Sequence, residues 1–244
     1  MFSCILDTPF FEGIKDVDED FVLPMFKEKR LRKGQVLFDQ GDLAAEMYIV
    51  KSGSLQIYRE DEGRVIVLGH QFPGQTIGEL EAVHENKERL ASVSALEKTI
   101  LWKIEQRDLD RLLEVHPLLL RRMFYVVSDR LSQADRKIEY LAFLDSRVRV
   151  ANLLLDLVAN FGKPVEDGIK IEWRITHQYF AHMIGTGREA VTRALMELRQ
   201  EGLIRTDEDR KTVVLDPERL RKQAGGETES TETRRWHSRH KYDT

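Results

Sequence analysis

The chain has 244 residues, of which 41% are hydrophobic and 33% charged, and its net charge of −4 excludes a strongly basic or acidic protein. No segment approaches the roughly 18 apolar residues of a membrane-spanning helix, and the first residues do not resemble a secretory signal, so we expect a cytoplasmic protein. The single cysteine, Cys4, excludes an internal disulfide, an iron–sulfur cluster and a cysteine-based zinc site.

The N-terminal half has the pattern of a β-rich domain. Seven of the 15 glycines fall between Gly34 and Gly78, and short apolar runs such as Met47–Val50 separate them. Strands of this length with turn residues at intervals of about 8–12 residues predict an antiparallel β-sandwich or barrel. We therefore predict an all-β region over residues 30–104, preceded by a short helical segment, in a domain that covers residues 1–116.

A long helix is predicted after Pro117, because glycine and proline are absent from there to Gly162. Its apolar residues alternate four and three positions apart, which is typical of a coiled-coil seam in a parallel homodimer. The alternative is a long helix packed on the chain's own sheet. We predict a dimerisation helix over residues 117–144 with an interface formed by Leu120, Phe124, Val127, Leu131, Ala134, Ile138 and Leu141.

A hinge is predicted at Phe143, Leu144 and Asp145, which interrupt the helical pattern. Asp145 or Ser146 is suited to cap a second helix that runs to about Asn160. This helix opens the C-terminal domain.

The rest of the C-terminal domain is predicted from shorter signals. We expect a loop over residues 161–168, a short strand over 169–173 and a small hairpin over 203–215. The last segment, residues 223–244, is rich in Gly, Glu, Thr and Ser and then basic, so we expect a disordered tail. Contact between this tail and DNA phosphates is the alternative.

Residues 176–200 have the spacing of a helix-turn-helix. Ala181 lets two helices approach, Gly185 permits a left-handed turn, and Val191 locks the second helix onto the first. On the second helix, the residues that do not face the first helix lie on the outer side. The DNA-contacting residues predicted from this arrangement are Thr186, Arg188, Glu189, Thr192 and Arg193.

The two arginines suit a helix that approaches a nucleic acid. A cation such as Arg188 in the first helical turn opposes the helix dipole, so it fits better where a phosphate approaches. Arg193 is placed to meet the O6 and N7 atoms of a guanine in the major groove. For Glu189 a purely structural role is equally open, because Thr186 and Glu189 fit a capping box with Thr186 as the N-cap.

The segment Thr186-Gly187-Arg188-Glu189, with Thr192-Arg193, Leu195 and then Gly202-Leu203-Ile204, resembles the CRP/FNR family of bacterial transcription regulators. The resemblance covers roughly residues 20–222. It implies an α+β fold with an N-terminal antiparallel β-roll (jelly-roll), a long dimerisation helix and a C-terminal winged helix-turn-helix over residues 145–222.

The resemblance also implies a DNA target and two partners. Arg188 and Arg193 would read guanines, and Glu189 a cytosine, of a TGTGA-like half-site. Two such half-sites would form a palindrome because the protein would be a two-fold homodimer. Related regulators contact RNA polymerase through a surface loop that corresponds here to residues 163–170.

An effector site in the β-roll is implied by Gly78, Glu79, Leu80 and Arg89, which match the spacing of the family's cyclic-nucleotide site. In that site backbone amides, a glutamate and an arginine hold the ribose and the phosphate. The alternative is a Glu79–Arg89 salt bridge in an empty roll. The effector-binding positions implied by the family are therefore Gly78, Glu79, Leu80, Arg89, Leu90, Ala134 and Asp135.

The chain departs from the family pattern at three of these positions. The serine that follows the family's arginine is Leu90, and the Thr-Ser pair that grips the purine is Ala134-Asp135. Each lost charge-assisted hydrogen bond costs roughly 1.5–3 kcal/mol, which argues against cyclic AMP. Residues 161–169 resemble the global nitrogen regulators, so 2-oxoglutarate bound by Arg89 with Arg130 or Arg136 is another candidate.

The sequence also bears on three other classes of function. A regulator of the same family that works without an effector stays open, as does a ligand-binding module that acts on a protein partner. An enzyme is not expected, because the sequence lacks a Gly-x-x-x-x-Gly-Lys phosphate loop and a Gly-x-Ser-x-Gly elbow.

Overall fold

A computed structural model of the chain describes residues 2–82, 87–225 and 234–236. The described residues divide into two units, with the boundary between residues 134 and 135. The boundary falls inside the longest described helix, between Ala134 and Asp135. The sequence had instead placed boundaries at the two ends of this helix.

Short helical turns open the first unit, as the sequence predicts. Asp18 caps the first α-helix, because its side chain accepts a hydrogen bond from the Phe21 N–H at 3.2 Å. The elements of this lead-in are the 3-10 turns Ile5–Asp7 and Leu23–Met25 and helix α1 (Glu19–Val22).

The predicted all-β region follows. Its strands are β1 (Phe26–Leu31), β2 (Val36–Phe38), β3 (Glu46–Ser52), β4 (Leu55–Asp61), β5 (Arg64–Gln71), β6 (Thr76–Ile77), β7 (Ser92–Ala95) and β8 (Thr99–Glu105). They form two four-stranded sheets with the orders β1-β8-β3-β6 and β2-β7-β4-β5. All the pairings are antiparallel, which confirms the predicted roll.

The uninterrupted apolar run Met47–Val50 lies within strand β3. Side chains alternate between the two faces of a strand. Met47 and Ile49 pack into the cluster that holds the N-terminal turns, whereas Tyr48 and Val50 pack into the cluster between the sheets. Both faces of β3 are therefore buried.

Three helices complete the elements of the first unit and lead into the second. They are α2 (Glu79–Ala82), α3 (Gln106–Val115) and α4 (Leu118–Phe143). Within α4 only Leu119 and Met123 are buried, and they join the cluster that also holds Leu109 and Leu112 of α3. Among the helices of the described ranges, none combines the length and the apolarity needed to cross a bilayer.

The second unit is a winged helix-turn-helix. Its elements are α5 (Ser146–Phe161), β9 (Gly162–Val165), β10 (Gly168–Ile171), α6 (His177–Ile184), α7 (Arg188–Gln200), β11 (Ile204–Thr206), β12 (Thr212–Val214) and α8 (Pro217–Gln223). The strands form one antiparallel sheet with the order β11-β12-β10-β9. This confirms the predicted α+β architecture and the hairpin within residues 203–215.

The loop predicted over residues 161–168 is wrong, because Gly162–Val165 is strand β9. It pairs with β10 from Val165 opposite Gly168 to Gly162 opposite Ile171. Glycine and proline obscured the strand in the sequence. Pro164 is tolerated because β9 lies at the edge of the sheet, where one side of the strand needs no partner.

Most of the tail predicted to be disordered lies outside the described residues. The described part does not lie free in solvent: α8 runs to Gln223, and Arg234 is only 3% exposed.

Candidate functional site

The helix-turn-helix has the geometry that its spacing predicts. Helix α6 is capped by Thr176, whose side chain accepts from the Tyr179 N–H at 3.2 Å. The helix ends at Gly185, which has φ 63° and ψ 47°. Only glycine adopts this left-handed conformation without strain, and it turns the chain into α7.

One face of α7 is buried and the other is exposed. Val191, Leu195 and Leu198 are at most 5% exposed, and they pack in the same unit as the buried Ala181. Arg188 and Arg193 lie on the exposed face. The helix therefore presents charged side chains outward from a fixed apolar support.

The predicted capping box is wrong, because the N-cap of α7 is Gly187 and not Thr186. Gly187 has an extended backbone and no side chain to cap the helix. The Thr186 hydroxyl instead lies 3.1 Å from that of Ser146, at the start of α5. Glu189 is exposed. Because Gly187 is the N-cap, Glu189 does not have the capping role that was the alternative to contact with a base.

Thr192 links the two helices of the motif. Its hydroxyl lies 2.9 Å from Nδ1 of His177 on α6, and it donates to the Arg188 carbonyl at 2.9 Å. Burial and the nearby charges of Arg188 and Arg199 lower the pKa of His177. Thr192 is thus held within the motif, whereas the sequence had assigned it to the outer face.

The predicted interface on α4 is mostly exposed in the single chain. The exposed fractions are 52% for Leu120, 70% for Phe124, 63% for Leu131 and 62% for Ile138. Val127 is partly buried, while Ala134 and Leu141 are exposed. A helix packed along its length on its own sheet would bury this stripe, so that alternative is wrong.

The break between α4 and α5 lies where the sequence predicts it. Helix α4 ends at Phe143, and Asp145 caps α5 by accepting from the Val148 N–H at 2.9 Å. The Leu144 carbonyl accepts from Nε of Arg149 at 2.9 Å. Phe143 itself is 82% exposed.

Glu79 is a buried carboxylate with one cationic neighbour. It is 1% exposed, and its Oε1 lies 2.7 Å from Nη1 of Arg130. The two groups form an ion pair, but their relative orientation does not suit a hydrogen bond. Neither Glu79 oxygen accepts a hydrogen bond from the described residues. Arg130 also donates to the Thr76 carbonyl at 2.7 Å. Glu79 therefore pairs with Arg130, and the Glu79–Arg89 salt bridge considered from the sequence does not form.

Arg89 is also buried, and it is engaged by the chain itself. Its Nη2 donates to the Glu46 carbonyl at 2.8 Å, and its Nη1 lies 3.7 Å from Oε2 of Glu81. The guanidinium stacks 4.0 Å from the centroid of the Phe38 ring. Gly78, at φ 86°, is required next to it, because a Cβ there would lie 2.5 Å from Arg89 Nη1.

The remaining positions predicted to bind an effector differ in exposure. The Leu90 side chain is 38% exposed, and its N–H donates to Oε1 of Glu81 at 3.1 Å. Leu80 is partly buried, whereas Ala134 and Asp135 are both exposed on α4. Glu81 thus contacts both residues of the Arg89-Leu90 pair, a role that sequence reasoning missed.

Two family descriptions match the chain. The cyclic nucleotide-binding domain matches residues 28–116, and the Crp-like helix-turn-helix domain matches residues 148–223. The cyclic AMP receptor protein of Thermus thermophilus is 32% identical over 202 residues, which cover 81% of this chain and 88% of that protein. The chain belongs to the CRP/FNR family.

Other relatives agree with this membership. The global nitrogen regulator of Synechococcus elongatus is 29% identical over 80% of this CRP/FNR chain and 94% of its own length. Among solved structures, the c-di-GMP-responsive global regulator CLP of Xanthomonas campestris has a TM-score of 0.73 and 27% identity, covering 81% of this chain and 97% of that one. The chain is therefore a CRP-family transcription regulator with a cyclic nucleotide-binding domain and a helix-turn-helix domain.

Proposed function

We propose that this CRP/FNR regulator acts as a homodimer that reads a palindromic, TGTGA-like operator. The observation that carries the proposal is the exposure of Arg188, Glu189 and Arg193 on α7, whose opposite face is buried. Side chains on the exposed face of such a helix reach the edges of the bases when the helix lies in the major groove. Arg188 and Arg193 are assigned to guanines and Glu189 to a cytosine.

The proposed dimer forms through the exposed stripe of α4. Apolar side chains such as Phe124 and Leu131 lose contact with water when two copies pair. A two-fold dimer presents two α7 helices, which requires two half-sites about 34 Å apart. In this proposal residues 1–116 form the effector-sensing domain, and residues 117–144 form the helix that pairs with the second copy. Residues 145–222 bind DNA, and the hinge lies at Phe143–Asp145.

RNA polymerase is the proposed protein partner. The segment assigned to this contact, residues 163–170, lies in the β9–β10 hairpin. Lys163 and Glu166 are exposed there. The proposal assigns no enzymatic role to the protein and places it in the cytoplasm, where bacterial DNA lies.

A second candidate, regulation without a small effector, is favoured by the contacts of Arg89. A phosphate or carboxylate ligand would need this guanidinium, but Glu81 and the Glu46 carbonyl already lie against it. The buried Glu81 carboxylate thus supplies the negative charge that a ligand would bring. In this reading Glu81 takes the place of a ligand's anionic group beside Arg89, although Arg89 Nη1 and both Glu79 oxygens form no hydrogen bond within the described residues.

DNA binding tests the main proposal. Fluorescence anisotropy with a TGTGA palindrome and a scrambled duplex, between about 50 and 200 mM salt, should give tight palindrome binding that weakens by about 10³-fold or more as salt rises. Equal affinity for both duplexes would contradict the proposal.

Calorimetry separates the two forms of regulation. Cyclic AMP, cyclic GMP and 2-oxoglutarate are titrated into the unmodified protein and into Glu81→Gln. If Glu81 replaces the ligand, none binds the unmodified protein, while the operator is still bound. Saturable heat with the unmodified protein would instead support an effector.

A further inference from the structure

The last described segment of the chain is bound to helix α5. Arg234 is buried, with its Nη1 2.9 Å from Oδ1 of Asp156 and its Nη2 2.9 Å from Oδ1 of Asn152. Its carbonyl accepts from Nδ2 of Asn160 at 2.9 Å, and the Trp236 N–H donates to Oδ1 of Asn160 at 2.8 Å. Both the side chain and the backbone of the segment are therefore recognised.

The three receptor residues belong together on α5. Asn152, Asp156 and Asn160 are each four positions apart, so they form one row on the helix surface. Asn152 is 2% exposed, and its Nδ2 also donates to the Ala224 carbonyl. Asp156 and Asn160 are partly buried, and Arg234 supplies a partner to the side chain of each residue in the row.

An aromatic contact series connects the segment to the helix-turn-helix. The Trp236 ring packs edge-on to Phe161 with centroids 5.7 Å apart and to Trp173 at 6.4 Å. Trp173 in turn packs against Tyr179 of α6 at 5.8 Å. These rings thus link the C-terminal segment to the helix that supports α7.

The contacts of this segment are explained neither by the family match nor by a role of Arg234 in binding DNA. The helix-turn-helix match ends at residue 223. Arg234 points into protein, whereas its neighbour Arg235 is exposed. The two adjacent arginines therefore have different environments despite identical charge.

We propose that the Asn152–Asp156–Asn160 row of α5, with Phe161 and Trp173, is a binding site for the chain's own Arg234–Trp236 segment. Docking of the segment fixes Trp173 and, through it, the position of α6. Arg234 and Trp236 are thus positioning residues for DNA binding.

The matched pair Arg234→Ala and Arg235→Ala tests this in the full-length protein, since each removes one positive charge from the tail. Thermal unfolding without DNA should show a midpoint lower by about 4–8 °C in Arg234→Ala and unchanged in Arg235→Ala. Adding Asp156→Asn to Arg234→Ala should cause little further loss, because their contact is already gone. An unchanged midpoint in Arg234→Ala would overturn the proposal.

Operator binding tests the positioning role under conditions where every variant is folded, at about 15 °C. Arg234→Ala should bind about fivefold more weakly or worse, with an unchanged dependence on salt. A salt slope lower by about one would mean that Arg234 contacts a phosphate, and unchanged affinity would mean that it does not position α6. Either result would overturn the proposal. If Arg234→Ala does not fold, Trp236→Phe, which keeps the backbone contacts, takes its place with the same expectations.

Discussion

The side chains of α7 divide into those that support the helix and those that remain available to a partner. Val191 and Leu198 have no exposed surface, so their replacement would change the fold before it changed specificity. Arg193 is exposed on the face of α7 opposite these residues. Specificity is therefore best tested at Arg193.

Replacing Arg193 with alanine is expected to cost about 1–3 kcal/mol of operator affinity and to relax the preference at one base position. Arg193→Lys is the matched control, because it keeps the charge but loses the planar fork that contacts guanine. The lysine variant should retain the salt dependence and still lose base preference. Binding to a set of single-base operator variants measures both effects, and an alanine variant with unchanged preference would contradict the assignment.

His177 predicts a pH dependence of stability. Its pKa in the folded protein is lower than the usual 6.5, because of burial first and of Arg188 and Arg199 second. The unfolded chain therefore binds a proton at this site more readily, so the free energy of unfolding falls as pH drops below 6.5 towards the folded pKa.

The variant His177→Gln isolates this effect, since glutamine retains hydrogen-bonding capacity toward Thr192 and does not titrate. Thermal midpoints measured between about pH 5 and 7.5 should fall less steeply toward acid in the variant than in the unmodified protein. Parallel curves for the two proteins would contradict the assignment.

At the level of elements, regular patterns were predictable and long-range contacts were not. The alternating spacing on α4 and the Ala181–Gly185–Val191 spacing identified both helical elements, because each pattern reflects a local helical period. Strand β9 was missed because its pairing with β10, and not the propensity of Gly162–Val165, decides its structure.

The contacts of the proposed effector site were predictable only in part for the same reason. The spacing of Gly78, Glu79 and Arg89 singles these residues out, but it does not reveal which charges pair. Glu79 pairs with Arg130, which is distant in sequence, and Arg89 lies beside Glu81. The docking of Arg234 on α5 was likewise hidden, because the composition around it resembles a solvated tail.

The exposed stripe of α4 predicts an association that one substitution breaks. Phe124→Asp would place two like charges opposite each other in the proposed seam and remove two apolar side chains, each worth about 1.5–3 kcal/mol, so the dimer dissociation constant should rise by about 100-fold or more. Ser132→Asp, on an exposed position of the same helix that neither belongs to the stripe nor flanks it, is the control. Sedimentation equilibrium should show monomer for Phe124→Asp and dimer for Ser132→Asp; a dimeric Phe124→Asp would place the interface elsewhere.

At the scale of the whole molecule, the account requires two copies of the chain. Each copy carries one α7 helix, so a palindrome with two half-sites requires two copies. The proposed pairing uses the α4 stripe, and helix α4 ends at Phe143, before α5 begins at Ser146. In the proposed dimer, the symmetry of the operator follows from the symmetry of the protein.

The most direct measurement is binding to a palindromic operator, to a lone half-site and to a palindrome with about five extra base pairs between its halves, with the stoichiometry determined for each. We expect two chains on the intact palindrome and a loss of affinity for both altered duplexes. The lone half-site offers a site to only one α7 helix, and the extra half turn of DNA rotates one half-site away from its α7 helix. One chain per duplex, or equal affinity for all three duplexes, would contradict this expectation.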